Sequence, residues 1–466
     1  MATGAVSSLG IGSGVLTSSV IDQLKSADTA NVITPITNKI TANMQKQQDI
    51  NLLQSLATSF GSSVSSLSSG SLYQNRTVSG SNSDVSVTAS SGTDIQNFSI
   101  SNTKLATSDV IQSSTFADPT ATVATGSGNL NLNINGKDYK IPYTASTTYQ
   151  DLRSAITDAA GADVKASVLQ TGDSAYSLVL NSNSTGKNQQ ITLTDLDGQM
   201  NTNLLSGATH IQSASDASFL YNGISITRSS NTITDLSSGV TINLLANDSS
   251  GTAANISITQ NTQPIKDAMS SMATSYNTML KQLQTLTNSN TANGAIGDYS
   301  GDSTINGIDR GIKNILTSVD PSTGLGLTQY GLNINSDGTL SFDSTAFDTQ
   351  NAVNPNTLAS YFSGGTSVDT KGKSTTSVGV FNTLYSDLNS LTNSTNGTFT
   401  NLSTGLTTQA ATLQANKTKA TDQLNARYAT LTSKFIAYDS MISKLNNSFA
   451  SLSQQISMAT NGTTSG

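Results

Sequence analysis

The 466-residue chain holds one histidine, His210, in the stretch SGATHIQSAS. A histidine activates a Ser hydroxyl when a carboxylate orients it, but no neighbouring motif supplies those partners. It reads as a loop or edge-strand residue. The tripeptide GDS occurs at Gly172 and at Gly301 and carries no weight in so Ser-rich a chain. GIGSG (residues 10–14) has enough glycine to cradle a phosphate, yet no strand precedes it and no Lys stands at the P-loop position. It reads as a flexible leader. Asn333, Asn335, Asp337 and Gly338 fit the first half of an EF-hand loop, but Ser344 falls where a bidentate Glu is needed. A hairpin turned at Asp337-Gly338 is the better reading. DLDG (195–198) is equally poor as a metal site. No catalytic, metal or cofactor-binding residue is assigned, and an enzyme is not expected.

Composition narrows the classes further. Charged residues make up 11% of the chain and apolar ones 35%, with a net charge of −7. Soluble proteins carry about 25% charged residues; here Ser, Thr, Asn, Gln and Gly take their place. No basic cluster exists, which argues against nucleic acid and anionic membrane surfaces as partners. The absence of Cys excludes disulfides and Cys-bound metals. No run of 18 apolar residues is present, so membrane insertion is not expected. The opening MATGAVSSLGIGSGVLTSS lacks the charged and apolar regions of a Sec signal.

The elements are helical at both ends and β in the middle. Leu16, Val20, Leu24 and Ala27 mark a first helical stripe. Thr34 and Pro35 read as the start of a second helix, with a capping hydroxyl and Pro at the first helical position. Ile36, Ile40 and Met44 follow, then Leu53, Leu56, Phe60, Val64 and Leu67. From about residue 76 the period becomes two, in DVSVTAS, NFSISNTKLA, NLNLNINGKDYKIPY, YSLVLNS and QQITLTDLDG. NING is a hairpin turn, and TYQDLRSAITDAAG is a helix with Leu152 and Ile156 on one face. After Pro264 a heptad runs through Ile265, Met269, Met272, Tyr276, Met279, Leu283 and Leu286. Shorter helices carry Ile305, Ile308, Ile312, Ile315 and Val319, then Phe381, Leu384, Leu388 and Leu391. The last long helix runs from about Leu402 to Ile456, with a break in phase near Leu424. Its seam alternates three and four through Tyr428, Leu431, Phe435, Tyr438, Ile442, Leu445, Phe449, Leu452 and Ile456. These two heptads are the candidate coiled-coil and assembly residues.

The fold class expected is α+β multidomain. Both chain ends build an antiparallel helical-bundle or coiled-coil stalk, and antiparallel β-rich domains are inserted between them.

Several stretches resemble the bacterial flagellar filament cap family, also called the flagellar hook-associated protein 2 family. LGIGSGVLTSSVIDQL (9–24) resembles its opening and TPITNKI (34–40) the junction after it. YNGISITRSSNTITDLSSGVTINLL (221–245) is the most specific match. GLNINSDGTLSFDSTAFD (331–348) resembles a later hairpin and helix, and 426–456 the terminal helix. The resemblance is weakest from about 116 to 207. It implies a leader and helix at 1–40 that is disordered alone. It further implies a helical leg domain of 41–75 plus 264–430, with a β-hairpin near 331–343. A β-rich head of 76–115 plus 208–263 follows, with a second head of 116–207 inserted in it. A terminal coiled-coil helix and polar tail close the chain at 431–466.

It implies a structural cap at the distal filament tip that retains exported flagellin and promotes its folding and polymerisation. The partners implied are further copies of the chain, as a pentamer, flagellin, hook–filament junction proteins, the flagellar type III export apparatus and a chaperone. The location implied is extracellular, reached without a cleaved Sec signal. The alternatives are another flagellar axial protein, such as a junction component, or a surface adhesin with a coiled-coil stalk. Adhesin stalks draw on one long heptad region, whereas here the heptads are split.

Overall fold

The structure is a computed structural model and describes residues 14, 17–248, 251–293, 295–320, 324–353, 357–368 and 374–461. Most of the expected leader, Leu16 and the polar tail from 462 lie outside the described residues. The chain divides into two compact units, Met1–Ser69 with Lys266–Gly466, and Gly70–Ile265.

The first unit opens with helix α1, Ser18–Ser68. It is one helix where the sequence suggests two, and Pro35 lies inside it rather than at a start. A helix-interior proline costs about 3 kcal/mol through a missing N–H and a ring clash. Packing along the C-terminal helix on both sides of Pro35 offsets that cost. Ile21 and Ile33 cluster with Leu424 and Tyr428 on one side, and Asn43 bonds Gln409 on the other. The first stripe is also corrected by one residue: Ile21 is buried, whereas Val20 and Leu24 are exposed. Further along, Ile50, Leu53, Ala57, Phe60, Val64 and Leu67 are buried at helical spacing.

The second unit is antiparallel β around two separate cores. One core contains Phe98, Ile100, Phe219, Ile242, Ile256 and Ile258. It lies on a five-stranded sheet ordered Arg76–Ser79, Ala254–Gln260, Gln96–Lys104, Ala217–Tyr221 and Ile224–Arg228, and on a three-stranded sheet. Val240–Leu244 of the latter pairs with Val85–Ala89. The other core contains Leu130, Leu132, Ile141, Leu152, Ile156 and Leu180. Helix α2, Tyr149–Ala160, contributes to it and starts with a capping box between Thr148 and Asp151. The short helix α3 spans Thr202–Leu205. Asn135 and Gly136 both have positive φ, 52° and 74°, as the two-residue turn between Gly128–Ile134 and Lys137–Tyr143 requires.

One boundary shifts. The sequence assigns 110–112 and 209–212 to the outer head, but Val110–Gln112 pairs with Ala175–Ser182 and Thr209–Gln212 with Val110–Gln112. Ile111 points into the second core, and the buried face of a strand sets its partner.

The chain then returns to the first unit with α4, Gln263–Thr287. Next come α5 (Ser303–Leu316), α6 (Ser344–Val353), α7 (Thr357–Ser363), α8 (Val380–Thr392) and α9 (Thr398–Asn461). Asp302 caps α5, accepting the Thr304 and Ile305 N–H groups, so the second GDS is a helix start. The core is aromatic: Phe60 lies 5.6 Å from Tyr276, and Phe362 lies 4.9 Å from Tyr330 and 5.0 Å from Phe381. Leu332–Ile334 and Leu340–Phe342 form the expected hairpin. Asn277 of α4 holds it, donating to the Leu340 carbonyl and accepting the Leu340 N–H.

Candidate assembly surface

The two heptads have different fates. On α4, Met269, Met272, Tyr276, Met279, Leu283 and Leu286 are buried within the helical unit. Ile265, at the unit boundary, is buried too. Tyr276 also donates its hydroxyl to Asp309 at 2.9 Å. This stripe is the chain's own core, so its proposed role in assembly is corrected: a partner could reach it only by opening the fold.

The C-terminal stripe is divided. Helix α9 is unbroken from Thr398 to Asn461. The phase change near Leu424 is a step in which residues are covered, not a break in the helix: Leu413, Lys417, Thr421, Leu424 and Tyr428 form the covered row. Tyr428 is buried, and Leu431 and Phe435 are half-covered. Beyond them Ile442 is half-covered, but Tyr438, Leu445, Phe449, Leu452 and Ile456 are each more than half exposed, as is Met441. An apolar row of that length on a solvent-facing helix marks an interaction surface.

The pairing of α1 with α9 sets where this row becomes exposed. Asn43 Nδ2 donates to Gln409 Oε1 at 2.8 Å, and Gln47 Nε2 to Thr407 Oγ1 at 2.8 Å. Asp28 accepts the Tyr428 hydroxyl at 2.9 Å and lies 3.2 Å from Arg427. Burial and then the Asp28 carboxylate push the Tyr428 pKa up. The helices are therefore antiparallel, and Ser18 comes level with about residue 438. The exposed row begins where described α1 ends. Charges along it are few: Lys444 is exposed, and Asp439, next to Tyr438, is buried.

The residues first weighed for chemistry have other work. His210 stands on the edge strand Thr209–Gln212, and its Nδ1 lies 2.8 Å from Asp109 Oδ1. Asp109 is fully buried and also accepts the Ile191 N–H at 2.8 Å. Sequence reading misses this pair because 101 residues separate its members. Asp337 accepts the N–H and hydroxyl of Thr339 and so closes its own turn. Asp195 of DLDG accepts the Tyr143 hydroxyl and the Met200 N–H. Among the described residues no group of three potential metal ligands occurs, and no helix is long and apolar enough to cross a membrane.

A helical stalk from both chain ends, a β-rich insertion and a charge-poor apolar row on a terminal helix define a structural assembly protein. Residues 13–109 match the family model described as flagellar hook-associated protein 2 N-terminus, and 214–447 that of its C-terminus. Residues 129–184 match the flagellin hook IN motif. The chain belongs to the flagellar hook-associated protein 2 family. It is 30% identical over 477 residues to that protein of Escherichia coli K12, covering 97% of this chain and 98% of the relative. It is 32% identical over 420 residues to the Campylobacter jejuni protein, covering 78% of this chain but only 65% of that relative's length. A crystal structure of the Escherichia coli flagellar cap protein superposes with a TM-score of 0.54 at 25% identity, over 77% of this chain and 99% of the other.

Proposed function

We propose that this chain caps the distal end of a bacterial flagellar filament. In this reading it retains exported flagellin and promotes its folding and insertion at the tip. The observation that carries the reading is the exposed apolar row from Tyr438 to Ile456 on a stalk of this family. The row supplies adhesion to helical chain ends at the filament tip. The β lobes contribute the plate of the cap, and further copies of the chain complete it, five in this reading. The same reading includes junction proteins, an export chaperone, passage through the type III apparatus and an extracellular site of action, and the family match supports it.

The scarcity of charge in the row gives the mechanism. Charged flanking positions fix coiled-coil partner and register. Their scarcity makes a contact that forms, releases and forms again as the filament lengthens. A deletion strain tests the function: filaments should be lost and monomeric flagellin should appear in the medium, and normal motility would refute it. Glu/Lys pairs placed across the row should slow filament growth, measured as length against time.

A further inference from the structure

We propose that residues 18–34 of α1 are a hinged strap that covers the first part of the C-terminal seam and swings away at Pro35. The purpose given to this motion rests on the seam reading above; the motion itself does not. Three observations carry it. First, Ile21, Leu424 and Tyr428, with half-covered Ile33, Leu431 and Phe435, form a small cluster separate from the cores of the rest of the chain. Small satellite clusters open on their own before a fold opens globally.

Second, the strap ends at a built-in weakness. Pro35 has no N–H for the carbonyl four residues back and its ring presses on that turn. The Thr34 hydroxyl donates to the Thr29 carbonyl five residues back at 3.4 Å, whereas Thr29, Thr37 and Thr41 donate four residues back. Third, the strap is not committed to α9. It carries Val20, Leu24 and Val32 on exposed positions as well as Ile21 and Ile33 on covered ones. Asp28 supplies its polar ties, to Tyr428 and Arg427. The next ties of α1 to α9, at Asn43 and Gln47, lie beyond the proline.

With the strap closed, the apolar row is exposed only from about Tyr438. With it open, Leu424, Tyr428, Leu431 and Phe435 join the same alternation of three and four, and one continuous seam runs to Ile456. The strap thus competes with the incoming helix for the lower seam.

Amide hydrogen exchange on the full chain as an isolated subunit tests this without any filament. Amides of 19–34 should exchange about tenfold or more faster than those of 50–67, with the change falling as a step at Pro35. Asp28→Asn should speed exchange in 19–34 and leave 50–67 unchanged, and Pro35→Ala should slow it in 19–34. A smooth gradient from Ser18, equal acceleration of both stretches by Asp28→Asn, or no slowing by Pro35→Ala would overturn the hinge. Failure of the cap reading in cells would leave these rates untouched, so the two failures are separable.

Discussion

Two heptads of the same kind, on α4 and on the far part of α9, end in opposite surroundings. Both alternate three and four, both mix Leu and Ile with aromatic residues, and both carry few charges. One is the centre of a folded unit and the other faces solvent. Periodicity tells which face of a helix is apolar. It does not tell who covers that face, because the cover can be a distant part of the same chain or another molecule.

The contrast can be broken by mutation. Tyr276→Ala should destabilise the subunit by about 3–5 kcal/mol through a cavity and a lost bond to Asp309, read by chemical unfolding. Asn277→Ala, which strips both partners from Leu340, should cost about 1–3 kcal/mol. Phe449→Ala should change subunit stability by less than about 0.5 kcal/mol and act only on filament growth. If Phe449→Ala unfolds the subunit as Tyr276→Ala does, the two stripes are not different in kind.

A smaller effect sharpens the picture on α1. Burial first, and then the neighbouring Asp298 carboxyl, hold the Asp49 pKa above its ordinary value, against a lowering bond from Gln45. The folded state therefore favours the proton on Asp49. That contribution is present at acid pH and is lost as pH rises through the raised pKa. Asp298→Asn should raise the melting temperature at pH 7 and do so less at pH 4. An equal shift at both values would mean that the two carboxyls do not interact.

Local chemistry was legible in the sequence wherever the cause was local. Asn135-Gly136 had to turn a hairpin because both residues sit at positive φ. Leu152 and Ile156 fall on one face of a short capped helix, and the structure buries both. Thr34-Pro35 misled for the opposite reason. It has the chemistry of a helix start, and only the long partner helix makes continuation through Pro35 affordable. Ile111 joined a different core from the one expected because three-residue strands carry too little pattern to choose a sheet. The Asp109–His210 pair had no local signal at all. For the candidate surface, the apolar row could be read residue by residue, but the place where α1 stops covering it could not.

The polar rungs of the stalk, Asn43 with Gln409 and Gln47 with Thr407, have a metric consequence. A purely apolar pair of helices can slip by a heptad at modest cost, moving one tip by about 10 Å past the other. Amide and hydroxyl rungs lose their partners on such a slip, as a buried Asn does in a coiled coil. The rungs act as a stop on a telescoping rod. They fix how far α9 extends past the first described turn of α1, about 35 Å at the rise of a helix.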